Sequence, residues 1–300
     1  ARHAELLHAA LQRRRRNAEH LGRATLAVDA SFGRVEHAPD VARLHLRERD
    51  EGLVLLRTRR DPSGLAVPRT FLFGGKAAPG YFTAKQIIRL INGIADVVND
   101  DPACKGMKVL FVPNYRVSLA ERLIPACDLS EQISTAGTEA SGTGNMKFAM
   151  NGALTLGTLD GANIEIRDAV GHDAFFLFGL TADEVAAKKA EGYRPRDFVE
   201  KDDELREVLS LVRSGFFTPE DRGALVKLVD GLLDHDPYFV LADFRAYVDA
   251  REEAAAVYQD QERWSTLAIR NIAASGRFSS DRTIGEYAKK LMYMDGQIVF

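Results

Sequence analysis

Residues 134–147 read Ser-Thr-Ala-Gly-Thr-Glu-Ala-Ser-Gly-Thr-Gly-Asn-Met-Lys, and this run predicts a ligand-binding turn that leads into a helix. Its three glycines let the backbone approach a bound molecule closely and turn N–H groups toward an anion. Ser141 and Thr143 add hydroxyl donors, and a helix that opens near Asn145 adds the positive end of its dipole. The run delivers one amine, Lys147, into an apolar sequence, where we expect its side chain to be buried.

The same composition is also typical of exposed surface loops. The run matches neither the GxxxxGK[ST] phosphate loop nor the GxGxxG fingerprint. Taken alone, it supports an anion-binding turn with a functional lysine. A lysine beside a phosphate cradle suits a Schiff base with pyridoxal phosphate.

Composition and charge narrow the class of protein. The chain has 300 residues, of which 46% are hydrophobic and 28% charged, as expected for a globular protein with a sizeable core. A net charge of -3 provides no field for nucleic acid, and no apolar run is long enough to span a bilayer. Two cysteines, Cys104 and Cys127, form no metal-ligand pattern, so we expect no metal site and a cytoplasmic location.

Short apolar runs alternate with helical spacing from residue 67 onward. This alternation predicts an α/β fold with a doubly wound, mostly parallel sheet. The predicted strands are 70–73, 107–112, 153–157, 163–166 and 174–178, with helices at 83–99, 118–127 and 145–151. A helical C-terminal region follows, with helices predicted at 183–190, 202–214, 219–233, 240–259 and 261–274.

Ligands in such sheets bind beyond the carboxyl ends of the strands. Gly74-Gly75, Asn114-Tyr115 and the glycine-rich run all fall at predicted carboxyl ends. We therefore expect these three segments to lie at one edge of the sheet.

The stretch from Asp128 to Asn163 resembles, without interruption, the cofactor-binding segment of the glycogen (α-glucan) phosphorylases. Further similar segments are Gly74-Gly-Lys-Ala-Ala-Pro-Gly-Tyr81, Asn114-Tyr-Arg-Val-Ser-Leu-Ala-Glu121 and the run from Ile269 to Arg282. The resemblance extends over residues 67–291. It implies the C-terminal half of a GT-B type glycosyltransferase.

The resemblance also implies roles for individual residues. Lys147 would carry pyridoxal 5'-phosphate, and Lys147 and Glu139 would be the catalytic candidates. The implied cofactor contacts are Gly142, Thr143, Gly144, Tyr115 and Arg116. The implied contacts to the reacting glucosyl unit are Glu139, Ala140, Ser141 and Gly142. Two alternatives stay open, because Glu139 is also suited to capping a helix and Tyr115 to packing in the core.

The reaction implied by the resemblance is phosphorolysis. Inorganic phosphate cleaves a terminal α-1,4-linked glucose of glycogen or a similar glucan and releases glucose 1-phosphate. The cofactor phosphate serves as acid and base. The full-length members are homodimers, and no nucleic acid or membrane takes part.

Residues 1–66 depart from the family. They contain no lysine, five of the seven histidines and one aromatic residue, Phe32. Residues 35–44, where the family has a basic Lys-Arg-Ile-His-Glu-Tyr-Lys-Arg-Gln helix that binds phosphate, lack that motif. Residues 1–66 are therefore either a divergent segment or an out-of-frame or misjoined translation, and residues 67–300 form the cofactor-binding domain. Within residues 1–66 we expect a helix at 5–21, and two short strands in 41–58. Because the family's glucan-binding domain also has no counterpart here, we expect a partial enzyme, or an inactive fragment that binds the cofactor.

Overall fold

A computed structural model of the chain describes residues 25–27, 57–58 and 67–292. The helix expected at 5–21 lies outside the described residues, as does most of the segment 41–58. Residues 57–58, where the sequence predicted a strand, are helical.

Within the described residues, six parallel strands form one sheet. They are β1 (Thr25–Ala27), β2 (Arg69–Gly74), β3 (Met107–Val112), β4 (Leu129–Gln132), β5 (Leu154–Gly157) and β6 (Phe175–Leu177). Their order across the sheet is β3-β2-β1-β4-β5-β6. Strand β1 pairs Leu26 with Thr70 of β2 on one side and Ala27 with Leu129 of β4 on the other. The prediction of a parallel α/β sheet is therefore confirmed.

Besides the helical residues 57–58, eleven α-helices accompany the sheet in the described residues. The first four are α1 (Phe82–Asp100), α2 (Val117–Leu123), α3 (Gly144–Met150) and α4 (Asn163–Val170). The C-terminal region then contains α5 (Ala182–Glu191), α6 (Pro195–Lys201), α7 (Asp203–Arg213), α8 (Val226–Asp234), α9 (Val240–Gln259), α10 (Gln261–Ala274) and α11 (Ser280–Met292). The predicted helical C-terminal region is confirmed, although the sequence pattern missed α6 and α11.

The prediction of a strand at 163–166 is wrong, because these residues begin α4. Ile164 and Ile166 imitate the two-residue period of a strand. In the structure, Asn163, Ile166 and Val170 are buried at helical spacing, while Ile164 is 45% exposed.

Strand β4 was not predicted because three of its four residues are polar. Ser130, Glu131 and Gln132 are nonetheless buried. Hydrogen bonds satisfy them, with Gln132 Nε2 donating to Ser130 Oγ at 2.9 Å and the Tyr247 hydroxyl donating to Glu131 Oε2 at 3.0 Å. Tertiary partners of this kind let polar side chains occupy a central strand.

The sheet is covered on both faces. Phe71 and Phe73 of β2 face one apolar cluster, which includes α1, α7 and α8. Leu72, between them, faces a second cluster that contains Phe148 of α3. A third cluster covers β4, β5 and β6, and α9 contributes side chains both to this cluster and to the first.

None of the helices in the described part of the chain combines the length and the apolar character needed to cross a bilayer.

Candidate functional site

Three loops lie at the carboxyl edge of the sheet, as the sequence predicted. Gly74-Gly75 ends β2, Asn114-Tyr115 follows β3, and the glycine-rich run follows β4. The first two loops touch: a Cβ atom on Gly74 would lie 2.7 Å from Cδ2 of Tyr115. Glycine at position 74 therefore makes room for the tyrosine ring.

The third loop stands apart from the other two. In the strand order, β2 and β1 lie between β3 and β4. Three inter-strand steps correspond to about 14 Å. Tyr115 and Arg116 thus follow a strand at one side of the sheet, whereas the glycine-rich run follows β4, three steps away.

The glycine-rich turn presents its polar groups to solvent. Ser141 and Thr143 are exposed, and Gly142 has φ +81, a conformation that side chains other than glycine rarely adopt. Helix α3 then begins at Gly144, with Thr143 as its N-cap, close to the predicted start.

Lys147 is exposed, contrary to the expectation of a buried lysine. The neighbouring side chains explain the difference. Phe148 and Ala149 are buried and hold α3 against the sheet. Because this face of the seven-residue helix packs inward, Lys147 lies on the outward face. The amine is therefore on the solvent side of the sheet edge, where it is accessible to a reagent or cofactor.

Asp160 fixes the first half of the turn. Its side chain is 3% exposed and accepts hydrogen bonds from two backbone amides, Gly137 N to Oδ1 and Glu139 N to Oδ2, both at 2.9 Å. The Ala162 amide donates to the carbonyl oxygen of Ser141 at 2.7 Å and fixes the second half. The turn at 137–141 is thus held against the segment that follows β5.

Asn163 links the same segment to α3. Its Oδ1 accepts a hydrogen bond from Asn145 Nδ2 at 3.0 Å, and its own Nδ2 donates to the Thr158 carbonyl at 3.1 Å. Asn145 in turn accepts a hydrogen bond from the Met146 amide at 2.8 Å. Both asparagines are buried, so this chain of contacts sets the position of the helix that carries Lys147.

Glu139 does not occupy a capping position of α3. This residue lies four positions before Thr143, the N-cap of α3, and is therefore outside the first turn that a capping carboxylate would occupy. It is partly exposed, next to exposed Ala140 and Ser141, so the turn 139–142 forms a polar surface.

Tyr115 and Arg116 differ in exposure. Tyr115 is 8% exposed and packs against Gly74. Arg116 is exposed and its Nε donates to Ser118 Oγ at 3.0 Å. It lines a cleft of about 330 Å³ with Asn114, Ser118 and Arg122, a lining whose positive charge suits an anion.

Asp160 and Asn163 were not assigned a role from the sequence, although both lie in the stretch that resembles the phosphorylases. An Asp-Gly pair three residues after the end of β5 was the available signal. Its contact partners lie about twenty residues earlier in the chain and become neighbours only because β4 and β5 pair in parallel.

Across the described residues, no group of three or more histidine, cysteine, aspartate and glutamate side chains is arranged to hold a metal ion.

A parallel α/β sheet whose carboxyl edge carries a small-residue turn, an exposed lysine and a basic cleft is typical of α/β domains that bind ligands at this edge. The sequence profile of the family described as Carbohydrate phosphorylase matches residues 54–293, and the chain belongs to this family. This match begins before Val67, the residue at which the resemblance in the sequence begins.

Individual relatives agree with this membership. The chain is 57% identical over 237 residues to "Glycogen phosphorylase" of Synechocystis, a match that covers 79% of this chain. It is 52% identical over 236 residues to the liver form of human glycogen phosphorylase and 51% identical to the muscle form, each over 78% of the chain. The chain spans about 28% of the length of these relatives.

Proposed function

We propose that residues 67–300 are the pyridoxal-phosphate-binding domain of an α-glucan phosphorylase, the C-terminal half of a GT-B type, doubly wound architecture. The strand order, which reverses between β1 and β4, and the apolar clusters on both faces support this assignment. The single observation that carries the proposal is the accessible Lys147 at the carboxyl edge, in a segment that lies within the residues matched by the phosphorylase family.

The residues at the turn fit the cofactor. Ser141 and Thr143 supply exposed hydroxyl groups, and the backbone of Gly142 and Gly144 supplies amides close to a ligand, which is the donor set that a phosphate group requires. Lys147 supplies the amine that holds the cofactor aldehyde. Tyr115 and Arg116 would flank the cofactor from the β3 side, with Arg116 adding positive charge.

The neighbouring turn suits a sugar. Glu139, Ala140, Ser141 and Gly142 combine a carboxylate, a hydroxyl and backbone groups on one exposed surface, and carboxylates and amides are effective partners for sugar hydroxyls. We assign this surface to the reacting glucosyl unit of glycogen or a similar α-1,4-glucan.

The proposed reaction of the whole protein, a cytoplasmic homodimer, is phosphorolysis of the terminal glucose to glucose 1-phosphate. When bound, pyridoxal phosphate supplies a phosphate with a second pKa of about 6, which suits proton donation and acceptance near neutral pH. The chain's residues hold and orient the groups: Glu139 and Ser141 position the sugar, and the amides of the turn offset negative charge.

For this chain taken alone, we propose cofactor binding with little or no turnover. Two observations favour this second reading: residues 35–44 lack the basic phosphate-binding motif of the family, and the chain spans about 28% of its relatives. Without those cations, two phosphates placed side by side repel each other. The misjoined or out-of-frame origin proposed for residues 1–66 would account for the missing motif.

Reduction with borohydride tests the cofactor assignment. The purified chain is incubated with pyridoxal phosphate, reduced and digested, and the modified peptide is identified by mass. We expect a single dominant modification at Lys147, absent from Lys147→Ala. Lys105→Ala, which removes another exposed lysine far from the turn, is the matched control and should label like the unaltered chain.

Modification spread evenly over the surface lysines would refute the site. Release of glucose 1-phosphate from glycogen and inorganic phosphate then measures turnover, and we expect none above the Lys147→Ala background. Turnover well above that background would contradict the reading of the chain as a binding module.

A further inference from the structure

We propose that Asp160 is the positioning residue of the glucose-facing turn, and that it acts independently of the contacts that place the cofactor lysine. The effect on sugar binding rests on the proposed function, because the turn at 139–142 is the surface assigned to the glucosyl unit. The positioning of the turn rests on the geometry of its contacts.

The carboxylate of Asp160 holds two amides of one turn at once. Gly137 N and Glu139 N donate to separate oxygens of the carboxylate, each at 2.9 Å. Amides two residues apart converge on one anion only when the intervening backbone curves around it, which φ +88 at Gly137 allows. Asp160 therefore imposes the curvature of the turn.

Burial makes these two hydrogen bonds stronger than equivalent hydrogen bonds at the surface. Asp160 is 3% exposed, so water competes little for its oxygens, and hydrogen bonds to an ionised acceptor are roughly twice as strong as neutral ones. Because the two backbone amides donate to different oxygens, both oxygens must be able to accept a hydrogen bond. An amide side chain at position 160 would offer one oxygen and would direct an N–H₂ group toward the other backbone donor.

The residues directly after Asp160 also hold the turn in place. At Gly161, which has φ +51, an added Cβ would lie 2.6 Å from the Ser141 carbonyl oxygen and 2.9 Å from Cγ of Glu139. The turn thus lies directly on the Gly161 backbone, and the Ala162 amide holds the Ser141 carbonyl. The side chain of Glu139 is consequently directed by contacts to 160–162.

Contacts of other side chains place the helix of Lys147. Asn163 holds Asn145 at 3.0 Å, and Phe148 packs into the apolar cluster beneath α3. Asn145 Nδ2 also donates to the Ser141 carbonyl oxygen at 3.3 Å, but none of these contacts uses the Asp160 carboxylate. Loss of the Asp160 carboxylate should therefore release the sugar surface and leave the cofactor lysine in place.

Amide hydrogen exchange resolved by NMR tests this separation in the full chain with Asp160→Ala and Asp160→Asn. In Asp160→Ala we expect the amides of Gly137 and Glu139 to exchange about tenfold faster, because each loses its acceptor. In Asp160→Asn we expect faster exchange at one of the two amides. Borohydride labelling of Lys147 should be unchanged in both variants, a result that general destabilisation would not give.

Asp168→Asn is the matched control, because it makes the same chemical change at an exposed position on α4 and should alter neither measurement. Glucose titration adds the functional readout. Shifts of the amide signals at 139–142 should require at least about tenfold more glucose in Asp160→Ala than in the unaltered chain.

Unchanged exchange at Gly137 and Glu139 in both Asp160 variants would overturn the inference, as would parallel loss of Lys147 labelling. Should Asp160→Ala fail to fold, the isosteric Asn variant carries the test. Failure of the proposed function gives a different result: the unaltered chain would then show no Lys147 labelling or no glucose shifts, whereas the exchange data would still report on Asp160.

Discussion

At the scale of single residues, Asp243 has an unusual environment for a carboxylate. It is 4% exposed, its Oδ1 accepts the Leu180 amide at 2.9 Å, and the carboxylates of Asp236 and Glu184 lie nearby, with Lys188 as the opposing charge. Burial, followed in importance by the neighbouring carboxylates, raises the pKa of Asp243 to about 7, although the hydrogen bond from Leu180 opposes this rise. The folded chain thus binds this proton more tightly than the unfolded chain does.

This shift predicts a pH-dependent stability. Because the folded pKa lies above the ordinary value of 3.8, the contribution of Asp243 is fully present below about pH 4 and is lost as the pH rises through 7. At about 1.4 kcal/mol per unit of pKa, the change amounts to a few kcal/mol. Denaturant unfolding of Asp243→Asn between pH 4 and 8 should show a flatter profile than the unaltered chain. Parallel profiles would contradict the assignment.

The site residues show how far sequence reasoning reaches at this scale. Lys147, Glu139 and Tyr115 are candidates because the resemblance places them in recognisable motifs. The exposure of Lys147 was not predicted, since it depends on which face of a seven-residue helix packs on the sheet. Asp160 was missed for a related reason: its function is to hold backbone amides, and such partners leave no pattern in the sequence.

At the scale of elements, two helix glycines should respond in opposite ways to alanine. Gly93 of α1 lies against the backbone at Phe217, and an added Cβ would be 2.0 Å from that carbonyl oxygen. Gly231 of α8 is exposed and has no atom within 4 Å of the added Cβ.

We expect Gly93→Ala to lower the free energy of unfolding by about 3 kcal/mol, because backbone must shift to admit the methyl group. Gly231→Ala should raise it by about 1 kcal/mol, because alanine restricts the unfolded chain and favours helix. Chemical denaturation of the two variants measures both effects. Destabilisation by Gly231→Ala, or tolerance of Gly93→Ala, would show that the helix packing differs from that described.

The sequence predicted the elements with strong periodicity and missed those whose stability comes from tertiary contacts. Helices α9 and α10 agree with their predicted bounds because long amphipathic spacing fixes them. Strand β4 was missed because buried hydrogen bonds, such as that between Tyr247 and Glu131, replace the apolar pattern. Strand β1 has only three residues and depends on its two neighbours, which sequence alone does not reveal.

At the scale of the whole molecule, a charge network joins residue 57 to the C-terminal helices. Nε and Nη2 of Arg57 donate to the two oxygens of Glu204 at 2.7 and 2.8 Å, and Arg57 also pairs with Glu252 of α9. Arg245 of α9 pairs with Glu204 and with Asp202. Hydrogen bonding from Arg57, with a further contribution from Arg245, lowers the pKa of Glu204 to about 2.

Glu204→Gln should therefore remove a stability contribution that is present above about pH 4.5 and lost as the pH falls toward 2. We expect a loss of about 1 kcal/mol at neutral pH, since both arginines are more than a third exposed and solvent screens the pairs. Thermal unfolding at pH 7 and pH 3 measures it. The variant should differ from the unaltered chain less at pH 3.

Glu253→Gln serves as the control, because Glu253 is exposed on α9 beside Glu252. A loss of the same size in this control would assign the effect to net charge and not to the network.

The position of helix α9 affects folding of the chain during translation. It supplies Leu241, Phe244 and Val248 to the cluster beside β2 and β3, and Tyr247 and Ala254 to the cluster beside β4, β5 and β6. During synthesis the ribosome delivers both groups of strands before it delivers α9, and translation proceeds at about 5–20 residues per second. Until residues 240–259 emerge, the nascent sheet exposes apolar surface on both sides of β1. We expect the growing chain to be most prone to aggregation during that interval of several seconds.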